Sequence, residues 1–119
     1  MDRFAVLLNT STDEVGQTAN GLEYALDLDE SGKEVEVFFD GSATQWPGEL
    51  AANPEHPVNG AFQEARERGL LAGACSACAG AFETEAELEE AGIELLGDGD
   101  HGPSVGELTD EGFDLLTIG

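Results

Sequence analysis

The two cysteines of this chain lie two residues apart, in the segment Cys75-Ser-Ala-Cys78. They directly follow the apolar run 70–74, where a buried strand is expected to end and a helix to begin. Free N–H groups and the positive end of the helix dipole meet at a helix start, and both favour a thiolate over a thiol. We therefore expect a solvent-exposed, reactive sulfur here, with Cys75 as the nucleophile.

The Cys-x-x-Cys spacing is compatible with three different roles. It occurs in thiol redox pairs, in one half of a zinc site, and in pairs of small side chains that are simply buried. Cys78 could resolve an oxidised or persulfidated Cys75 as a disulfide, because one helical turn brings both sulfurs to the same face. Packing of Cys78 beneath the helix remains an equal alternative.

The other metal-ligand residue types give no convincing metal site. His56 and His101 are the two histidines, and both fall in predicted loops. With the cysteines they would form a Cys2His2 set, but neither histidine has the spacing of a zinc finger. Asp98 and Asp100 lack the further ligands at fixed spacing that calcium sites need. We expect exposed loop histidines, a solvated acidic turn and no metal.

A turn near the start of the chain supplies secondary candidates for a pocket. Asn9, Thr10 and Ser11 follow the first predicted strand. The carboxyl ends of parallel strands form the edge at which α/β sheets bind ligands, so this turn should share an edge with Cys75. Trp46 either covers a pocket or contacts a partner, or it anchors its loop on the core. The anchor is the preferred interpretation.

Apolar runs alternate with helical segments along the whole chain. The predicted strands are 4–8, 35–39, 70–74, 93–96 and 113–118. Capping boxes of the form Ser/Thr-x-x-Glu predict helix starts at Ser11, Thr84 and Ser104, and further helices are expected over 58–68 and 76–82. Residues 40–57 are rich in glycine and proline, which predicts a long unstructured connection. The pattern indicates an α/β fold, a three-layer α/β/α sandwich around a five-stranded, mainly parallel sheet.

Length and charge narrow the range of functions. The 119 residues are enough for a single domain, 1–119, with one packed core. The 26 acidic residues against 4 basic ones give a formal net charge of -22, which argues against nucleic acid and anionic membranes as partners. Such a surface is typical of a salt-rich cytoplasm, where charge repulsion is screened. With no leader or membrane span apparent, we expect a cytoplasmic protein with free thiols.

A chain of alternating strands and helices with a Cys-x-x-Cys after its third predicted strand resembles the DsrE family of small sulfur-handling proteins. The resemblance covers nearly the whole chain, including the opening strand and helix, the connection before Val58, the segments 74–78 and 92–96, and the closing strand. It implies a sheet of five parallel strands in which the first lies between the second and the fifth. It also implies self-association, typically into trimers or hexamers.

The resemblance also implies a role for each cysteine. The family's relay cysteine corresponds to Cys75, and Cys78 matches a second cysteine that some members carry. Many relatives continue with Ala-Arg-Gly, where this chain has Ala81-Phe82-Glu83, and the Cys-Ala-x-Ala-Phe pattern is similar to a separate branch. The implied function is a carrier of sulfane sulfur on Cys75 that needs no cofactor and exchanges sulfur with donor and acceptor proteins. A non-catalytic binding or assembly module and a thiol-disulfide redox protein are the alternatives.

Overall fold

The computed structural model describes residues 2–119, which form one sheet flanked by helices. The strands are β1 (Arg3–Leu8), β2 (Glu34–Phe39), β3 (Leu71–Cys75), β4 (Leu95–Leu96) and β5 (Phe113–Ile118). The α-helices are α1 (Val15–Glu30), α2 (Trp46–Ala52), α3 (Asn59–Glu67), α4 (Ser76–Phe82), α5 (Glu85–Glu90) and α6 (Val105–Asp110). A 3₁₀ helix, Gly41–Gln45, precedes α2. Among residues 2–119, none of these helices combines the length and apolar character needed to cross a bilayer.

Every strand pairing in the sheet is parallel, and the strand order is β4-β3-β2-β1-β5. Strand β1 lies between β2 and β5, and its residues 5–8 are all buried. A strand covered on both faces is apolar on both sides of its pleat, which explains why the run 4–8 shows no alternation. The α/β class, the five parallel strands and the position of the first strand between the second and the fifth are therefore confirmed.

The helices cover the two faces of the sheet unequally. Val6, Leu8 and Phe39 face the larger core, which is built with side chains from α1 to α5. Phe38 faces the other side and packs in a smaller cluster with Leu108 of α6. From β1 to β4 the chain moves across the sheet in one direction, so right-handed crossovers place their helices on one face. The return to β5 reverses that direction, and the second outer layer is the six-residue α6.

Residues 40–57 are not the unstructured connection that their composition predicts. They fold into the 3₁₀ helix and α2, and both Trp46 and Leu50 are buried in the larger core. Pro47 lies in the first turn of α2, where a missing N–H costs no helical hydrogen bond. The prediction is wrong because a proline at this position favours the start of a helix and the two apolar side chains fix that helix to the core.

The first predicted capping box closes a turn instead of starting a helix. The Glu14 carboxylate accepts the Ser11 N–H at 2.8 Å, and the Glu14 N–H donates to the Ser11 carbonyl at 3.0 Å. Helix α1 consequently begins at Val15, four positions after Ser11. The third box behaves as predicted, since Ser104 caps α6 by accepting the Glu107 N–H at 3.2 Å.

The fourth strand is shorter than predicted. Leu95 and Leu96 alone pair with β3 in the sheet register, whereas Ile93 is buried in the larger core before the strand begins. The Glu94 carbonyl nevertheless accepts the Ala74 N–H at 2.8 Å, so the chain approaches β3 one residue before the assigned strand. This short edge strand leads directly into the loop 97–104.

Candidate functional site

Cys75 ends β3 and also caps the helix that follows it. Its backbone is extended, with φ -66° and ψ 119°, and its Sγ accepts the Cys78 N–H at 3.3 Å. The predicted junction between strand and helix is therefore present. The predicted exposure is wrong, because Cys75 is 0% exposed. Its backbone pairs with Leu96 of β4, and the side chains of Asp40 and Cys78 lie close to its sulfur.

Cys78 lies in the first turn of α4 and is half-buried. Its Sγ is within 4.8 Å of the Cys75 Sγ, and it donates a hydrogen bond to the Asp40 carboxylate at 3.4 Å. Burial first, and then hydrogen bonding with Cys75 and Asp40, raises the pKa of Cys78 to about 12, against a smaller lowering by the Gly41 N–H. A pKa this high keeps Cys78 a neutral thiol at neutral pH. Both cysteines are free thiols.

Asp40 is a site residue that the sequence analysis did not identify. It directly follows β2, and its Oδ1 accepts the Gly41 N–H at 2.9 Å and so caps the 3₁₀ helix. Its own N–H donates to the Leu8 carbonyl at 2.8 Å, which ties it to the end of β1. The reasoning that placed Asn9 at the carboxyl edge of the sheet could also have identified Asp40, since β2 and β3 end at the same edge.

His101 lies beside Asp40, with its Nε2 3.1 Å from the Asp40 Oδ2. Its side chain is 59% exposed, in agreement with the predicted loop position. The loop that carries it is fixed to the start of α4, because the Asp100 carbonyl accepts hydrogen bonds from Ser76 Oγ and from the Ala77 N–H, each at 3.1 Å. One of the two histidines is therefore brought next to the cysteine pair.

His56 belongs to a different part of the molecule. It is half-buried, and its ring stands edge-on to Trp46 with ring centroids 5.4 Å apart. Its Nδ1 accepts the Val58 N–H at 3.1 Å. The prediction of an exposed histidine is wrong here, because the folded 40–57 segment packs the ring against the indole.

The secondary pocket candidates form structural contacts near the sheet edge. Trp46 is fully buried, and its Nε1 donates to the Thr10 carbonyl at 3.1 Å, which supports the anchor interpretation. Thr10 is also fully buried, with its hydroxyl 2.6 Å from that of Thr18. Asn9 and Ser11 are half-buried. None of the four contributes to the cluster of Asp40, Cys75 and Cys78.

A groove of about 460 Å³ lies over the thinly covered face of the sheet. Its walls include Glu36, Phe38, Leu96, His101 and Glu111, and neither cysteine lines it. Burial and the nearby carboxylates of Glu34 and Glu111 raise the pKa of Glu36, while the Arg3 guanidinium opposes the shift. His101 thus stands between this acidic groove and the cysteine site.

Comparisons with known proteins agree with the fold. A sequence profile of the DsrE/DsrF-like family matches residues 2–116. The structure is similar to that of a conserved protein of unknown function from Bacteroides thetaiotaomicron, at 20% sequence identity and a TM-score of 0.67, over 98% of this chain and 95% of that one. No match was found among curated proteins. At this identity the solved structure supports the fold alone.

Proposed function

The chain belongs to the DsrE/DsrF-like family, and from that premise we propose that it carries sulfane sulfur as a persulfide on Cys75. Membership of this family indicates a role related to sulfur relay. The observation that carries the finer proposal is the pairing of Cys75 with Cys78, in which the buried Cys75 Sγ accepts the Cys78 N–H at 3.3 Å. An N–H aimed at the sulfur stabilises the negative charge of the Cys75 thiolate, which is the form that attacks a sulfur donor.

The loading step is a direct sulfur exchange. The Cys75 thiolate attacks the outer sulfur of a donor persulfide, a new sulfur–sulfur bond forms on Cys75, and the donor's own sulfur–sulfur bond breaks. The donor leaves as a thiolate, so no external oxidant or reductant is consumed. Delivery to an acceptor thiolate is the same exchange in the opposite direction, and neither step requires a cofactor.

Access to Cys75 depends on side chains that lie next to it. Asp40 and the half-buried Cys78 are close to its sulfur, and the exposed His101 contacts Asp40. We propose that a donor displaces the His101 side chain and reaches Cys75 between Asp40 and Cys78. This opening requires side-chain rotations at the end of the sheet and leaves the strands in place.

The site lacks the cation that many relatives place after the cysteines. Phe82 occupies that position and is 41% exposed. Among the described residues, the ion pairs of Arg3, Lys33 and Arg68 are all with carboxylates outside the cysteine site. With phenylalanine in place of an arginine at position 82, we expect slower or more reversible loading of Cys75 than an adjacent arginine would give.

Mass spectrometry of the intact protein, fully reduced before it meets the sulfur donor, tests this proposal. After incubation with polysulfide, the wild-type chain should gain one sulfur atom, mapped to Cys75 and removed by a reducing agent. Cys75→Ser should gain none, whereas Cys78→Ser should still gain one. If the wild-type chain takes up no sulfur from polysulfide, the proposed carrier role is refuted and a binding or assembly module is favoured.

A dithiol-disulfide role is the second candidate. The two sulfurs lie within 4.8 Å of each other, and Cys78 is positioned one helical turn from Cys75. Attack of Cys78 on the inner sulfur of a Cys75 persulfide would form the disulfide and release hydrogen sulfide. Treatment of the reduced protein with oxidised glutathione distinguishes this role, since a redox protein would accumulate the disulfide without any sulfur donor.

We further propose that the protein assembles with copies of itself in a reducing cytoplasm. Large apolar side chains are exposed on several elements of the isolated chain: Tyr24, Phe82, Val105 and Leu115. Val105 and Leu115 lie on α6 and β5, beside the thinly covered face, where a second copy would supply the missing cover. Sedimentation of the purified protein measures the assembly, for which we expect a trimer or a hexamer.

A further inference from the structure

Three side chains from different parts of the fold converge at the cysteine site. The Asp40 carboxylate comes from the end of β2, the Cys75 sulfur from the end of β3, and the Cys78 sulfur from the first turn of α4. Their ligand atoms all lie within 4.8 Å of one another. We infer that Asp40, Cys75 and Cys78 bind one thiophilic divalent cation of the Zn²⁺ class, with His101 positioning the carboxylate.

The distances are close to those of a tetrahedral site. With zinc–sulfur bonds of about 2.3 Å and zinc–oxygen bonds of about 2.1 Å, neighbouring ligand atoms stand roughly 3.4–3.8 Å apart. The Cys78 Sγ and the Asp40 Oδ1 are already 3.4 Å apart. The remaining pairs are within 4.8 Å, so rotations that move the ligand atoms by about 1 Å complete the arrangement.

Outer hydrogen bonds already orient two of the three ligands. The Cys78 N–H donates to the Cys75 Sγ at 3.3 Å, which is the kind of contact that stabilises a metal-bound thiolate. The Gly41 N–H holds Asp40 Oδ1 at 2.9 Å, and His101 Nε2 lies 3.1 Å from Oδ2. His101 is therefore a positioning residue in this arrangement, since it contacts the carboxylate.

The donor set selects the class of cation. Two thiolates favour Zn²⁺ and other soft or borderline ions over Ca²⁺ and Mg²⁺, which prefer oxygen ligands alone. Binding releases the two thiol protons to solvent, and the resulting three negative charges exceed the charge of the cation by one. Three protein ligands leave a fourth position open to water or to a thiolate from outside.

Binding is tested with the full, reduced, metal-stripped chain in about 1 M salt, where weak binding by surface carboxylates is screened. Titration with Co²⁺ should give one ion per chain, with the visible bands of a tetrahedral site and thiolate-to-cobalt charge-transfer bands. Zn²⁺ should displace the cobalt at the same stoichiometry. Octahedral cobalt spectra, or uptake of several ions without charge-transfer bands, would overturn the inference.

Matched variants distinguish cation binding at this site from cation binding by the acidic surface. Cys78→Ser and Asp40→Asn should each weaken Zn²⁺ binding by more than about 100-fold, whereas His101→Ala should weaken it by roughly 10–100-fold, as expected for an outer partner. Asp40→Asn keeps an oxygen for the Gly41 N–H, so the cap on the 3₁₀ helix is preserved. Asp98→Asn makes the same change of charge on the exposed loop nearby and should have no effect. Equal loss in Asp40→Asn and Asp98→Asn would contradict the site.

The inferred metal site and the proposed persulfide carrier can be refuted independently of each other. Asp40→Asn should lose the cation but still gain sulfur on Cys75, because the sulfur exchange needs the thiolate and not the carboxylate. Sulfur uptake without tetrahedral cobalt binding would refute the metal site alone. Cobalt binding without sulfur uptake would refute the carrier alone.

Discussion

The indole nitrogen of Trp46 donates a hydrogen bond to the carbonyl oxygen of Thr10 at 3.1 Å, and both residues are fully buried. This bond joins the start of α2 to the turn that follows β1. It fixes the segment that begins at Asp40 against the carboxyl edge of the sheet. The position of a site residue thus depends on a contact between two residues that take no part in the chemistry.

Trp46 is expected to be a major contributor to stability. Trp46→Ala should lower the free energy of unfolding by about 3–5 kcal/mol, because it removes a large buried side chain. Trp46→Phe should cost less, about 1–3 kcal/mol, since it keeps most of the apolar volume but leaves the Thr10 carbonyl unpaired. Denaturant unfolding measures both values. Gln17→Ala, at an exposed polar position of α1, is the control and should change stability little.

Much of the architecture could be predicted from the sequence because parallel strands leave a strong local signal. The run 4–8 is apolar without alternation, as a strand buried on both faces requires. The run 70–74 likewise predicts the third strand, which the structure places one residue later, at Leu71–Cys75. The segment 40–57 was predicted wrongly because Pro47 and its glycines resemble a loop, while its helix depends on burial of Trp46 in a distant core.

The candidate site could be predicted only in part. Cys75 and Cys78 are recognisable because their spacing is local. Asp40 is one of 26 acidic residues, and only the pairing of β2 with β3 brings it to the sulfur atoms. The burial of Cys75 likewise depends on residues far apart in the chain. The burial of the Cys75 side chain could not be deduced from the local pattern of a strand followed by a helix start.

Gly73 is expected to be required for the edge of the sheet next to the site. A Cβ added at Gly73 would stand 2.5 Å from Leu96 Cδ1 and 3.1 Å from the Glu94 carbonyl. Gly73→Ala should therefore cost about 1–3 kcal/mol of stability and loosen β4. Gly60→Ala is the matched control, because the added Cβ meets nothing within 4 Å. This substitution should stabilise α3, since alanine has less backbone freedom than glycine in the unfolded chain. Adding Leu96→Ala to Gly73→Ala should make the effect of Gly73→Ala smaller in a double-mutant cycle.

Glu36 should make stability depend on pH in the acidic range. Burial and the nearby Glu34 and Glu111 carboxylates raise its pKa above the ordinary 4.5, so its ionised form opposes folding. That penalty is present at pH values above the folded-state pKa and disappears as the pH falls through it. Glu36→Gln should therefore raise the melting temperature at pH 7 and lose this advantage near pH 4. Glu23→Gln changes the net charge equally at an exposed position, so an equal gain from it would refute the local explanation.

The net charge of -22 should make folding depend on salt. Repulsion among exposed carboxylates is strong in dilute buffer and is screened when the Debye length falls to about 3 Å at 1 M salt. Circular dichroism during thermal unfolding should show a melting temperature that rises steadily between about 0.1 and 1 M potassium chloride. A melting temperature that does not change over this range would contradict the expected adaptation to a salt-rich cytoplasm.

Cys78 should resist alkylation in the native, metal-free protein. Its surroundings raise the pKa of Cys78 to about 12, so little of its thiolate is present at pH 8, and only the thiolate reacts. Asp40→Asn removes a carboxylate whose hydrogen bond raises that pKa, so it should increase the rate at Cys78. Timed iodoacetamide labelling with mass mapping of each cysteine provides the measurement. Asp98→Asn should leave the rate unchanged, and rapid labelling of Cys78 in the wild-type chain at pH 7 would show that its thiol is not held neutral by its surroundings.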